Sequence, residues 1–140
     1  MTEQLRLDPI RRISGSITLP GSKSLSNRVL LLAMLSEGET IIENLLDSDD
    51  VRRMVDALAK LKISYEEDRP SKKIRLKGEG GIIRVDKAEL FLGKAGTAIR
   101  PLTAALTLGH GRFVLDGIDR MRERPIQDLL DGLNQLGAQV

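Results

Sequence analysis

A cationic turn near the N-terminus is the first part of this 140-residue chain whose residues are suited to chemistry. Residues 19–28 read LPGSKSLSNR, and we expect a strand to end at the Pro-Gly pair and a buried helix to begin near Ser24. Free N–H groups at that helix start, serine hydroxyls and the Lys23 ammonium could converge on an anion. Arg28 lies one helical turn after Ser24, so its guanidinium can face the same side. The alternative is a capped helix whose lysine and arginine are solvated.

A second glycine turn repeats this design at residues 92–101, which read LGKAGTAIRP. A strand end, a glycine turn and Lys94 precede an apolar helix with an embedded arginine. Gly96 would let a ligand approach the backbone closely. Pro101 predicts a helix start close to Ala98, because proline fits only the first turn of a helix without kinking it. Neither turn has the spacing of a P-loop or of a dinucleotide fingerprint, and the pair favours an anion site more than either turn alone.

Three arginines alternate along a third segment, just before a predicted helix. Arg120, Arg122 and Arg124 occupy every second position of RMRERP. Guanidinium groups bind phosphate through two parallel hydrogen bonds, so these three side chains could clamp a phosphate. The alternative is an exposed charged loop whose arginines form ion pairs with Glu123 and Asp119.

The composition excludes several other kinds of chemistry. The chain has no cysteine and one histidine, His110, so we expect no disulfide, no metal site and no cofactor. Lysine and arginine outnumber aspartate and glutamate by only 22 to 20, which is too small an excess for a nucleic-acid or membrane surface. The few aromatic residues do not make a base-stacking platform. Because no signal peptide or apolar run of about 20 residues is present, we expect a soluble cytoplasmic protein.

Two amphipathic helices that share one apolar pattern indicate an internal repeat. Apolar residues fall at the same offsets in Val51–Leu61 and in Ile126–Leu136, and each set forms a stripe that we expect to face a core. Upstream of each lies a nearly all-apolar helix, at 25–35 and at 98–108. Helices that are apolar all round must be enclosed. We therefore predict an α/β fold in which sheets wrap buried helices. It consists of two units that repeat after roughly 73–75 residues.

Short strands are expected around these helices. Their predicted ranges are 40–45, 63–65, 73–76, 82–85, 89–92 and 113–115. The first unit then covers about residues 20–90, and the second covers about 91–140. Because the sequence stops at Val140, where a new strand should begin, we interpret the second unit as incomplete and the chain as a fragment or one piece of a split protein.

Four strings resemble, in order and spacing, the N-terminal motifs of the 5-enolpyruvylshikimate-3-phosphate synthase family. They are LPGSKSLSNR, LLDSDDV, LFLGKAGTAIRPL and RMRERPI. The resemblance spans essentially the whole chain, while enzymes of this family are much longer. It implies an inside-out α/β barrel-type fold of two domains, each with three units of buried helices wrapped by sheets. It also implies that residues 1–19 form a strand that belongs to the other domain.

The family transfers the enolpyruvyl group of phosphoenolpyruvate to the 5-hydroxyl of shikimate 3-phosphate and releases phosphate, a step of aromatic amino acid biosynthesis. Both substrates carry a phosphate and a carboxylate, so their binding requires preorganised cations. The resemblance implies that Lys23, the Gly96 backbone and Arg124 bind phosphoenolpyruvate. It implies that Ser24 and Arg28 hold shikimate 3-phosphate.

The resemblance also assigns supporting residues. Thr97 and Pro101 match positions that shape the phosphoenolpyruvate pocket from behind, and Arg100 matches a position used in pairing between domains or behind the site. Lys94 is a departure, since the family usually has asparagine there, beside the site that also binds the family's inhibitor glyphosate. No catalytic residue is expected in this chain, because the family's proton-transfer residues lie beyond Val140.

Three alternatives stay open. The enolpyruvyl transferase that acts on UDP-N-acetylglucosamine shares the fold, although its typical form uses a cysteine acid and lacks the Ser-Lys-Ser-x-Ser-Asn-Arg string. The chain could instead be a stand-alone anion-binding or regulatory module, although its end inside a unit argues against that. It could also be half of a split enzyme whose partner is the C-terminal part of the same enzyme.

Overall fold

The computed structural model describes residues 5–140, and the helices and strands within them alternate as an α/β fold. The helices are α1 (Lys23–Leu35), α2 (Asp49–Lys60), α3 (Gly96–Leu106), α4 (Asp119–Arg122) and α5 (Gln127–Gln135). The strands are β1 (Glu37–Ile42), β2 (Ser64–Asp68), β3 (Lys73–Glu79), β4 (Lys87–Phe91) and β5 (Arg112–Asp116). The α/β class predicted from the sequence is confirmed.

Two small sheets flank the helices. In the first sheet β3 lies between β1 and β2 and pairs antiparallel with both. Residues of β3 alternate between exposed and buried, so that Ile74, Leu76 and Gly78 point toward the core, as expected for a strand with one covered face. In the second sheet β4 pairs parallel with β5. Parallel strands need a long crossover connection, which α3 supplies.

The central helix is α1, which packs against α2, α3 and β3. Its Leu30 is completely buried, as are Leu58 of α2, Leu102 of α3 and Leu76 of β3. These residues belong to one continuous core cluster. The order helix, strand, amphipathic helix occurs twice along the chain, first as α1, β1 and α2 and then as α3, β5 and α5 with α4 inserted. This order of elements is the one that the repeat predicts.

The prediction that the apolar helices are enclosed is only partly correct. On α1, Leu25 is 59% exposed and Leu32 is 63% exposed, because none of the elements within residues 5–140 covers that face. The stripe predicted for the last helix does not reach the core either. Helix α5 has no buried residue, and Leu136 is 86% exposed.

Several predicted boundaries are also wrong. Residues 82–85 form no strand, since no strand lies beside them to pair with. Pro101 lies inside α3 rather than in its first turn, because the helix already begins at Gly96. The strand expected over 1–19 is not formed in residues 5–19, whose side chains are exposed and have no partner strand; residues 1–4 lie outside the described part. Its assignment to another domain stays a prediction.

Candidate anion-binding site

The two glycine turns lead into helices that begin differently. Helix α1 starts at Lys23, one residue earlier than predicted, and the Ser22 Oγ caps it by accepting a hydrogen bond from the N–H of Leu25 at 3.4 Å. Helix α3 starts at Gly96, and its N-cap residue, Ala95, has no side-chain oxygen to cap it. No side chain therefore takes the place of an anion at the start of α3, where the helix dipole favours negative charge.

A cleft of about 1230 Å³ opens in front of α3. Six of the nine residues that the resemblance assigns to the site line it, namely Lys23, Lys94, Gly96, Thr97, Arg100 and Arg124. The other three do not. Ser24 is half-buried, Arg28 is exposed, and Pro101 lies deeper in α3. The cleft thus joins residues of both glycine turns and of the arginine-rich segment.

Arg124 lies directly against Gly96. A Cβ atom built on Gly96 would overlap the Arg124 Nη1 and would lie 3.5 Å from its Cζ. The backbone of Gly96 is not in the left-handed region, so a glycine is required here for close approach and not for backbone conformation. The guanidinium of Arg124 and the uncapped start of α3 therefore occupy one place, as an anion site requires.

Carboxylates at the start of α2 hold the two lysines of the cleft. The Lys23 Nζ lies 3.0 Å from the Asp50 Oδ2, and the Asp50 side chain is only 7% exposed. The Lys94 Nζ lies 3.8 Å from the Asp49 Oδ2, and both of these side chains are largely exposed. Water screens the Lys94 pair, so this pair is weak and an incoming anion can compete with it. The buried Asp50 keeps Lys23 at the edge of the cleft.

A hydrogen bond between helices links the two glycine turns. The Asn27 Nδ2 of α1 donates to the Thr97 Oγ1 of α3 at 2.8 Å. Asn27 is completely buried, and its Oδ1 has no hydrogen-bond partner among residues 5–140. Sequence reasoning missed both Asn27 and Asp50, although an asparagine in a nearly all-apolar helix was a signal, because a buried amide needs partners.

Two of the three arginines in the charged segment form ion pairs with nearby carboxylates. Arg122 donates to both carboxylate oxygens of Asp116, at 2.9 and 2.8 Å, and to Asp119 at 3.0 Å. Arg120 donates to Glu123 at 2.6 Å. The alternative of local ion pairs is therefore correct for these two arginines. Both lie in the single turn of α4, whereas Arg124 follows that helix.

The pairing between Arg122 and Asp116 shifts the pKa of both groups. Hydrogen bonds from the Arg122 guanidinium, and then from the backbone N–H of Gly117, lower the pKa of Asp116 to about 2. The same pairing raises the pKa of Arg122. Both groups stay charged at neutral pH, so three of the five N–H donors of Arg122 remain occupied by carboxylates.

The residues that line the cleft offer cations beside an uncapped helix start, and both are groups that bind anions. Among residues 5–140 there is no group of three or more His, Asp or Glu side chains placed to hold a metal ion. Within the same range, no helix has the length and hydropathy needed to cross a membrane.

Comparison with known proteins agrees with this picture. Residues 7–140 match the family model described as EPSP synthase (3-phosphoshikimate 1-carboxyvinyltransferase). The chain is 56% identical, over 98% of its length, to the chloroplastic 3-phosphoshikimate 1-carboxyvinyltransferase of Petunia hybrida. It is 57% identical, over 99% of its length, to the 3-phosphoshikimate 1-carboxyvinyltransferase of Shewanella amazonensis.

The chain spans 28% of the petunia protein and 32% of the Shewanella protein. A solved structure of EPSP synthase from Acinetobacter baumannii matches 89% of this chain, and 28% of its own, with a TM-score of 0.81 and 26% sequence identity. Both the sequence match and the shared fold identify the same group of transferases. The chain therefore belongs to the EPSP synthase (3-phosphoshikimate 1-carboxyvinyltransferase) family.

Proposed function

We propose that the cleft binds phosphoenolpyruvate and that this chain supplies part of the active site for enolpyruvyl transfer to shikimate 3-phosphate. The observation that carries the proposal is the contact of the Arg124 guanidinium with Gly96 at the uncapped start of α3. Lys23 and Lys94 line the same cleft. Phosphoenolpyruvate has a phosphate and a carboxylate on a small skeleton, which suits several cations arranged around one glycine backbone.

The arrangement is suited to the transfer because its charges are in place before the substrate arrives. In the proposed reaction the 5-hydroxyl oxygen bonds to the enol carbon of phosphoenolpyruvate, as the hydroxyl loses its proton and the methylene carbon gains one. The resulting tetrahedral intermediate then loses a methyl proton and phosphate, which restores the double bond. Arg124 and Lys23 would hold the phosphate through both steps and stabilise the negative charge that it carries away.

Shikimate 3-phosphate is assigned to the neighbouring part of α1. Arg28 is exposed and makes no ion pair within the described chain, so its five donors are open to a ligand. Ser24 lies one turn before it, beside Lys23 of the cleft. The two substrates would then meet near the start of α1, with phosphoenolpyruvate on the α3 side.

We propose that the C-terminal part of the enzyme completes the site. The chain spans less than a third of the petunia relative, and none of its residues is assigned here to proton transfer. The exposed leucines of α1, Leu25 and Leu32, form an apolar face that such a partner would cover. A cytoplasmic location also belongs to the proposal, since a chain without cysteine has no need of an oxidising compartment.

The test is to co-express the chain with the region of the Shewanella amazonensis relative that follows the matched part, and to measure phosphate release. Turnover that depends on both pieces supports the proposal. Activity of the purified 140-residue chain alone, free of host enzyme, would contradict it.

Two variants of the assembled enzyme test the division of substrates. Losing a charge-assisted hydrogen bond costs about 1.5–3 kcal/mol, or roughly 10- to 150-fold in affinity. We expect Arg124→Ala to raise the KM for phosphoenolpyruvate by such a factor, and Arg28→Ala to raise that for shikimate 3-phosphate. Arg120→Ala is the matched control, since within residues 5–140 Arg120 pairs only with Glu123. Equal losses for both substrates in both variants would show the assignment to be wrong.

A further inference from the structure

We infer that Arg122 is a positioning residue that keeps Arg124 against Gly96 by tying the arginine-rich segment to the second glycine turn. The inference deepens the proposed function and rests on it, because it takes the contact between Arg124 and Gly96 to be the phosphoenolpyruvate contact. It gives Arg122 a role different from the phosphate clamp that the sequence suggests.

The tie begins at the end of β5. Arg122 bonds both oxygens of Asp116, the last residue of β5, and also bonds Asp119 in the first turn of α4. Exposed ion pairs usually contribute little, but bidentate geometry within a network of several charges is the recognised exception. Of the four hydrogen bonds in this network, three come from the Arg122 guanidinium and the fourth comes from the backbone N–H of Gly117 to the Asp116 Oδ1. Arg122 therefore ties the end of α4 to the end of β5.

Asp116 is itself fixed to the glycine turn by the backbone. The N–H of Leu92 donates to the carbonyl oxygen of Asp116 at 2.7 Å, and the N–H of Ile118 donates to that of Gly93 at 3.1 Å. A Cβ on Gly117 would overlap the Gly93 carbonyl oxygen, so the two chain segments are in direct contact there. Whatever is bonded to Asp116 is therefore held at a fixed place relative to Gly96, three residues after Gly93.

A second anchor lies on the other side of Arg124. The Arg100 Nη2 of α3 donates to the carbonyl oxygen of Pro125 at 2.5 Å. Between the anchors, the N–H of Arg124 donates to the carbonyl oxygen of Met121 at 3.1 Å, and Met121 is buried. Arg124 is thus bracketed, with Arg122 two residues before it and Pro125 directly after it. This supports a role for Arg100 in positioning, in addition to any pairing between domains.

Positioning and direct binding predict different effects when charges are removed. Arg122 lines the cleft, but its Nε, Nη1 and Nη2 all donate to carboxylates. If Arg122 bound the anion directly, the loss of Arg122 would weaken anion binding, and the loss of the competing Asp116 charge would strengthen it. A positioning residue predicts weaker anion binding in both cases, because either change releases the segment that carries Arg124.

The experiment titrates the 140-residue chain with phosphoenolpyruvate, and the amide NMR shift of Gly96 gives the affinity. The NMR relaxation of the Arg124 Nε–Hε group measures how ordered the Arg124 side chain is. We expect Arg122→Met and Asp116→Asn each to weaken binding about 2- to 10-fold, which is what ordering one long side chain is worth. Arg122→Lys should give an intermediate loss, since lysine keeps the charge and not the fork. Each of the first two changes should make the Arg124 side chain more mobile even without ligand.

Two matched controls share the helix and the change in charge. Arg120→Met removes a positive charge from α4, and Glu123→Gln removes a negative charge beside it, but both break only the local pair between those two residues. Both controls should leave Arg124 ordered and the affinity within a factor of about 2. A loss in Arg120→Met equal to that in Arg122→Met would reduce the effect to overall charge and overturn the inference.

The remaining outcomes separate this inference from the function on which it rests. Tighter binding in Asp116→Asn, or unchanged Arg124 order in Arg122→Met, would overturn the positioning role while leaving the cleft as an anion site. Unchanged affinity in Arg124→Met, by contrast, would remove the proposed phosphoenolpyruvate contact and the inference with it.

Discussion

Replacing Gly96 by alanine should separate the stability of this protein from its anion binding. The new Cβ would overlap the Arg124 Nη1, so the guanidinium must leave the start of α3. That displacement removes charge-assisted hydrogen bonds worth about 1.5–3 kcal/mol. Because the obstructed atom is the far end of a flexible side chain, part of the contact can re-form, and we expect the lower end of that range, about a 10-fold loss of phosphoenolpyruvate affinity.

The fold should not suffer from the same change. Gly96 has no positive φ and is the first residue of α3, so alanine fits its backbone conformation. In the middle of a helix alanine is better than glycine by about 0.5–1 kcal/mol. At the first helical position the gain is smaller, so we expect Tm to rise by no more than roughly 1–4 °C for a domain of this size. The expected variant is therefore at least as stable as the parent and binds the anion less well.

Gly132→Ala is the matched control, because it makes the same substitution in α5 at a position where a Cβ meets nothing within 4 Å. It should raise Tm by at least as much, because Gly132 lies inside its helix, and leave the affinity unchanged. Thermal unfolding and phosphoenolpyruvate titration of the three proteins measure both quantities. A Gly96→Ala chain that bound phosphoenolpyruvate as tightly as the parent would show that Arg124 does not act from its position against Gly96.

Two further predictions concern charges at the edge of the cleft. Lys94→Asn in the assembled enzyme should lower the inhibition constant of glyphosate, relative to the KM for phosphoenolpyruvate, by about 5-fold. The reason is a repulsion of roughly 3 kcal/mol between the Lys94 ammonium and the ammonium group of the inhibitor, a third of which we expect to survive. An unchanged ratio would mean that Asp49, 3.8 Å away, already neutralises Lys94. The pKa of Asp116 is lowered to about 2 from a usual 3.8. Its pairing with Arg122 therefore stabilises the fold fully above about pH 4, and this stabilisation is lost as the pH falls through about 2. The difference in Tm between the parent and Asp116→Asn should therefore shrink between about pH 5 and pH 2, and a constant difference would contradict the pairing.

The sequence by itself determined the features that depend on local spacing. The 3.6-residue period of apolar side chains located α2, because an amphipathic helix turns one stripe toward a core. The long apolar run located α1, although Leu25 and Leu32 of that helix remain exposed. Glycine beside a cation at a helix start identified Gly96 as a place of close approach. The motifs around Lys23 and Arg124 were sufficient to name the family, which the comparisons confirmed.

The tertiary structure decided what depends on neighbours distant in sequence. Arg120, Arg122 and Arg124 look equivalent as alternate residues of a charged segment. The sequence suggested Asp119 as a local partner, but only the path of the chain after β5 brings both oxygens of Asp116 to Arg122. In the same way, no local pattern shows that Asp50 lies 3.0 Å from Lys23. Hydrogen bonds and ion pairs act over a few ångströms, so the partner of a polar side chain is fixed only once separate elements have packed together.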